Sequence, residues 1–224
     1  AAAVYCLGML PSMAIDVQAR VQHVNGNIVT CKLRWLPASK EYMVITVTDA
    51  GRQVEQRWKP ADIAQMVVAP PAGWQNVVKQ VAESPDAALA PLKTIMSDYK
   101  MLKYDEEAAR LSATIYLNKG QPEEAIKVCE EVIRDNPAAA SVSFMAPVYW
   151  QALIAADKTA RLEKMLDDAA ISAPRPIAAK ALIARGDILM KQNQPRDALK
   201  NGYLRVVFLF SNEKEAAAEA LFKA

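Results

Sequence analysis

The sequence predicts an α+β chain, with a small β-barrel at the N-terminal end followed by an all-α helical solenoid. Three observations predict it. Residues 16–23 alternate apolar and polar positions with a period of two and further short strand-like runs follow to residue 58, whereas from Trp74 onward the apolar period is helical. Within the helical part, the stretch Lys119-Gly120-Gln121-Pro122-Glu123-Glu124-Ala125-Ile126-Lys127 recurs, loosened, as Gln192-Asn193-Gln194-Pro195-Arg196-Asp197-Ala198-Leu199-Lys200. Each copy reads as a helix stop, a turn and a helix start. Gly120 and Asn193 tolerate the left-handed conformation that closes a helix. Pro122 and Pro195 suit a first helical position, which needs no backbone N–H, and acidic residues follow in the first turn.

Composition bounds what such a chain does. Its 224 residues are 52% apolar and 23% charged, enough for one or two domains with proper cores. A formal net charge of +2 makes no electrostatic case for nucleic acid or an anionic membrane. With 7 glycines, phosphate-cradling loops are scarce, and one histidine with three cysteines argues against multi-His metal sites and His-based catalysis.

Residues 1–14 combine an apolar run with Pro11 and then Ser12-Met13-Ala14. Small residues at Ser12 and Ala14 fit a secretory cleavage site, so the segment is expected to be a signal-peptide remnant, and the mature protein periplasmic or secreted. Residues 15–70 form the β-domain. Val17, Ala19 and Val21 alternate with polar neighbours, Asn25-Gly26 is a hairpin signal, and Ile28 to Trp35 make the return strand. Tyr42 to Thr48 and Gln53 to Trp58 are two more strands, Pro60 to Ala64 fits one helical turn, and Met66-Val67-Val68 is a fifth strand. His23 is expected to be a solvated residue at the hairpin end. Cys31 and Cys129, in different domains, are expected to be small buried apolar residues without a disulfide.

Pro70-Pro71-Ala72-Gly73 ends the β-domain, and residues 71–224 are expected to hold about three helix pairs plus a terminal half repeat. Trp74 to Glu83 and Asp86 to Tyr99 form a degenerate leading pair, with Pro91 expected to kink the second helix or delay its start. The clearest pair runs from Asp105 to Pro137, with Ala109, Ala113, Tyr116 and Leu117 facing Ala125, Val128, Cys129, Val132 and Ile133. The 73-residue offset between the two copies requires another pair between them, placed at Pro147 to Ala156 and Thr159 to Ile171, with Ala138 to Met145 a connecting loop. Glu213 to Ala224 reads as the first helix of a further pair. It is either a cap or half of a repeat cut in mid-array.

Ala113, Tyr116, Gly120, Ala125 and Pro137 resemble the signature of the tetratricopeptide repeat (TPR) family: small residue, aromatic, turn, small residue, terminal proline. Gly186, Leu189 and Ala198 repeat it in looser form, and Ala109 stands where the family usually has an aromatic. The five short strands with a helical turn before the last resemble an SH3-like barrel in architecture, without a diagnostic motif.

The tetratricopeptide resemblance implies a non-enzymatic scaffold that binds protein or peptide partners on the concave face lined by the first helix of each pair. Carried over by pattern, the partner-binding positions are Glu107, Arg110, Thr114 and Leu117, then Lys180, Ile183, Asp187 and Met190. Arg110 and Thr114 stand where some members hold a peptide carboxylate with Lys and Asn, so no such clamp is expected. The partners would belong to a bacterial-type cell envelope. No catalytic motif, cofactor or metal site is read, and the carboxylate pairs such as Glu123-Glu124 point about 100° apart on a helix. The alternative is a cell-wall glycan or peptide recognition module, using Trp35, Tyr42 and Trp58 of the β-domain as stacking surfaces.

Overall fold

A computed structural model describes residues 15–224, and the signal-like segment 1–14 lies outside the described residues. The β-domain contains β1 (Val17–His23), β2 (Ile28–Leu36), β3 (Glu41–Val47), β4 (Gln53–Trp58) and β5 (Ile63–Val68), with a 3₁₀ turn at Pro60–Asp62 before the last. All neighbours pair antiparallel in the order β4-β3-β2-β1-β5. The expected barrel is not closed: β4 and β5 are the two edges of the sheet. The sequence of β4 explains why. None of its residues is buried, so wrapping it onto β5 would remove little apolar surface from water.

The alternating residues of the other strands do form a core. Val17, Ala19 and Val21 of β1 meet Cys31, Leu33 and Trp35 of β2, together with Tyr42 and Val44 of β3. The last core residue comes from the helical region: Leu102, almost fully buried, completes this cluster.

The helical region comprises α1 (Trp74–Glu83), α2 (Pro85–Asp98), α3 (Tyr104–Asn118), α4 (Pro122–Asp135), α5 (Ala139–Val142), α6 (Ala146–Ala155) and α7 (Leu162–Ser172). It continues with α8 (Arg175–Lys191), α9 (Pro195–Asp197), α10 (Leu204–Leu209) and α11 (Lys214–Lys223). A π-helical stretch, Ala198–Tyr203, joins α9 directly to α10. Helix α2 starts at Pro85 and continues through Pro91, so that proline does not delay its start. The expected loop 138–145 contains α5, held where the fully buried Trp150 donates its indole N–H to the Ala140 carbonyl at 2.8 Å.

One turn geometry recurs in the backbone of the helical region. The chain turns left-handed at Gly120, Asp157 and Asn193, positions 37 and 36 residues apart. At each, the next residue donates its N–H to a carbonyl five positions back: Gln121 to Tyr116 at 2.9 Å, Lys158 to Leu153 at 2.8 Å and Gln194 to Leu189 at 2.9 Å. This is the same helix-closing motif three times, satisfying carbonyls that would otherwise lack partners. The middle turn falls between α6 and the 3₁₀ turn Thr159–Arg161 that leads into α7, where the offset placed a helix pair.

Packing follows the same order. Helix α3 lies against α2, α4 and α6, α6 lies against α8, and α8 against α11. Small residues permit the close contacts. Ala109, Ala113 and Ala125 are fully buried, and Trp150, Leu153, Leu162 and Leu166 carry the core onward. Cys31 and Cys129 are both buried and unpaired, and burial pushes their thiols up to about 11 and about 12.

Candidate partner-binding surface

The eight positions expected to bind partners divide into two groups that the fold treats differently. On α3, Arg110 donates two hydrogen bonds to its own neighbour Glu107, at 2.6 and 2.9 Å, and this carboxylate contact holds the guanidinium above its ordinary value. Thr114 bonds back to the Arg110 carbonyl at 2.8 Å, while Leu117 is half-buried against the helical core. A pair three residues apart on one helix face satisfies charge locally and spans no other element. Both side chains are about one-third exposed, so the α3 face keeps a partly accessible Glu–Arg pair.

On α8 the equivalent face is covered by α11. Lys180 contacts Glu219 at 2.7 Å and Glu215 at 3.3 Å. Burial works against the Lys180 charge, but the two carboxylates outweigh it and hold the amine above its ordinary value. Burial likewise opposes the Glu219 charge, yet Lys180 and Lys223 hold that carboxyl below its ordinary value. Asp187 accepts from the Tyr203 hydroxyl at 2.8 Å and from Lys223 at 2.7 Å. Ile183 is buried in the cluster that joins α8 to α11, leaving Met190, 48% exposed, as the outermost of the four. The physical reason is the terminal helix: Ala216 and Ala220 bring it close enough for its charged residues to reach across.

Between the sheet and the helices lies a cleft of about 490 Å³, lined by Trp35, Lys93, Asp98, Lys100 and Glu131 among others. Lys100 pairs with Asp135 at 2.8 Å across its wall. Both signs of charge line it, Lys93, Lys100 and Arg134 together with Asp98, Glu131 and Asp135. At its edge the fold has a joint that sequence reading missed. The Tyr42 hydroxyl of β3 donates to the Met101 carbonyl at 2.8 Å, and the Met101 N–H donates to Asp105 at 2.7 Å. Asp105 is 4% exposed, its second carboxylate oxygen has no partner, and burial pushes its carboxyl up to about 6.

The aromatic residues of the β-domain do not form the expected stacking surface. Trp35 and Tyr42 pack against each other, 4.8 Å between ring centres, inside the sheet core. Trp58 is half-buried and takes the edge of His23 at 4.9 Å, so His23 is not simply solvated. A sugar ring would find one partly exposed indole there instead of three faces.

Among the described residues, no group of three or more His, Cys, Asp or Glu side chains is placed to hold a metal ion. No described helix is long and apolar enough to cross a membrane. Comparison with protein-family models, with curated proteins and with solved structures found no match.

Proposed function

We propose that this chain is a non-enzymatic scaffold of the tetratricopeptide type, which holds protein or peptide partners on the open first-helix face around α3. The observation that carries the reading is the threefold helix-closing motif at Gly120, Asp157 and Asn193, with the helix row α3, α6, α8 and α11. A repeated helix pair buries one face against its neighbours and leaves another as an extended surface, which suits binding a chain segment. The half-exposed Leu117 beside the Glu107–Arg110 pair suits an amphipathic partner. The SH3-like β-domain is read as a positioning module for the array. A periplasmic or outer-envelope setting follows from the signal-like residues 1–14.

The test is capture from a bacterial envelope extract, followed by direct binding of the purified captured protein. Wild type is expected to bind a defined partner at fixed stoichiometry, and Arg110→Glu to weaken it about tenfold or more. Indistinguishable binding by the two proteins, or no specific partner, contradicts the reading.

A further inference from the structure

The outer surface of α9, the π stretch and α10 differs from every other helix face described above. Leu199, Leu204 and Phe208 line a groove of about 520 Å³ together with Arg196, Lys200 and Arg205. Phe208 is 75% exposed and its neighbour Leu209 is exposed as well. No carboxylate lines the groove, and among the described residues none of its three cations forms an ion pair or a side-chain hydrogen bond. Several cations on other helices of this chain are neutralised by a neighbour, as Lys119 is by Asp86 and Lys158 by Glu123; here the three cations lie together beside an exposed apolar stripe.

The π stretch builds this arrangement. Lys200 and Arg205 are five residues apart, and so are Leu199 and Leu204. In an α-helix, five residues turn the chain about 140° past a full circle, so such pairs would diverge. A π turn closes its hydrogen bonds over five residues and brings them back to nearly the same side. The result is two adjacent stripes along one rod: a basic one, Arg196–Lys200–Arg205, and an apolar one, Leu199–Leu204–Phe208. Within the π stretch, on its buried side, Gly202 lies against the backbone of Gly186.

We propose that this groove docks an acidic amphipathic helix of a partner protein, its apolar residues seated on Leu199, Leu204 and Phe208 and its carboxylates facing the three cations. The proposal rests on the scaffold reading above but uses a different face of the array. Charge complementarity selects the occupant: a helix with Glu beside its Leu/Phe stripe neutralises Arg196, Lys200 and Arg205, while a basic helix is repelled by them.

The test uses labelled synthetic helical peptides of about 18 residues, with Leu and Phe at i, i+3, i+4 and i+7 and either Glu or Lys flanking them. Fluorescence anisotropy is read with wild type, with the double variant Lys200→Glu/Arg205→Glu, and with Phe208→Ser. All three positions are on the surface, and circular dichroism melts confirm that the variants fold. The acidic peptide is expected to bind wild type and to lose about tenfold or more in affinity to each variant. The charge-reversed protein should instead gain affinity for the Lys peptide, a swap that lost folding cannot produce.

Failure of the acidic peptide to bind wild type, or equal binding of both peptides, overturns the proposal. So does Phe208-dependent self-association in sedimentation, or binding to phosphatidylserine vesicles in place of the peptide. If Arg110-dependent capture persists while the peptide does not bind, only the groove assignment falls. If the charge swap works while Arg110→Glu changes nothing, the α3 assignment falls and the groove stands.

Discussion

The helix pair α3–α4 and the later pair of α8 with the π stretch and α10 share the same helix-closing turn, at Gly120 and at Asn193, and they use their residues differently. The early pair crosses on alanines, Ala113 and Ala125, and runs as regular α-helix on both sides. The late pair crosses on glycines: a Cβ on Gly186 would sit 2.4 Å from the Tyr203 ring, and one on Gly202 would sit 2.6 Å from the Gly186 Cα. Closer approach goes with a local change of helix type and moves every later side chain around the rod. The charged residues differ too. The Glu107–Arg110 pair belongs to one helix, whereas Lys180 and Asp187 bind α11. The comparison teaches that positions alike in sequence pattern need not share a role. What decides the role is whether a further helix lies on the face.

The largest expected effect comes from breaking the late crossing. Gly202→Ala forces a methyl into the Gly186 backbone and is expected to cost roughly 3 kcal/mol in urea denaturation. The reverse change in the early pair, Ala113→Gly, should cost about 1 kcal/mol from helix propensity and lost packing. Equal costs would mean that the two crossings are not distinct.

Next is the joint that anchors the early pair to the sheet. The Asp105 carboxyl is raised from 3.8 to about 6, so the folded chain holds this proton more tightly than the unfolded chain. Its contribution is therefore fully present below about pH 4 and is lost as the pH rises through about 6, a change on the order of 2–3 kcal/mol. Thermal melts between pH 4 and 7 should show this slope in wild type, and Asp105→Asn should flatten it. An unchanged slope in the variant would assign it to other groups.

A smaller effect, about 1–2 kcal/mol, is expected for Asp187→Ala, which strands the Tyr203 hydroxyl and leaves Lys223 with Glu219 alone. Amide exchange should show α11 opening first. Smallest is Arg110→Ala, about 0.5 kcal/mol or less, because an accessible pair within one helix adds little. A large loss there would make Arg110 structural and remove the contrast.

Much of this fold is legible in the chain. Strict alternation in Val17, Ala19 and Val21 and the Asn25-Gly26 turn place the strands, and Gly120, Asn193, Pro122 and Pro195 place the helix ends where the structure has them. The middle pair, lacking the sequence signature, is readable from the offset together with the apolar periodicity of Trp150, Leu153, Leu162, Met165 and Leu166. Barrel closure was misjudged, although the polar run Gln53-Val54-Glu55-Gln56-Arg57 of β4 was an available clue that this strand has little apolar surface to bury. The π stretch has no local signal in the chain; it coincides with the close Gly186–Gly202 contact to another helix. Gly202 itself, set in a helical apolar pattern, was an available clue to a close approach. The site positions were less legible still: periodicity names the first-helix face, but nothing local to Lys180 or Asp187 says that α11 will cover it. Asp105 reads as one more acidic residue in a first turn, and its burial comes from the sheet.

The most direct test of the account is amide hydrogen exchange on the complex with a partner captured through Arg110. Protection is expected along α3 around Arg110 and Leu117, with the Lys180–Asp187 face of α8 unchanged because α11 already covers it. Protection that appears on α8 with release of α11, and none on α3, would contradict the division between an open early face and a closed late one.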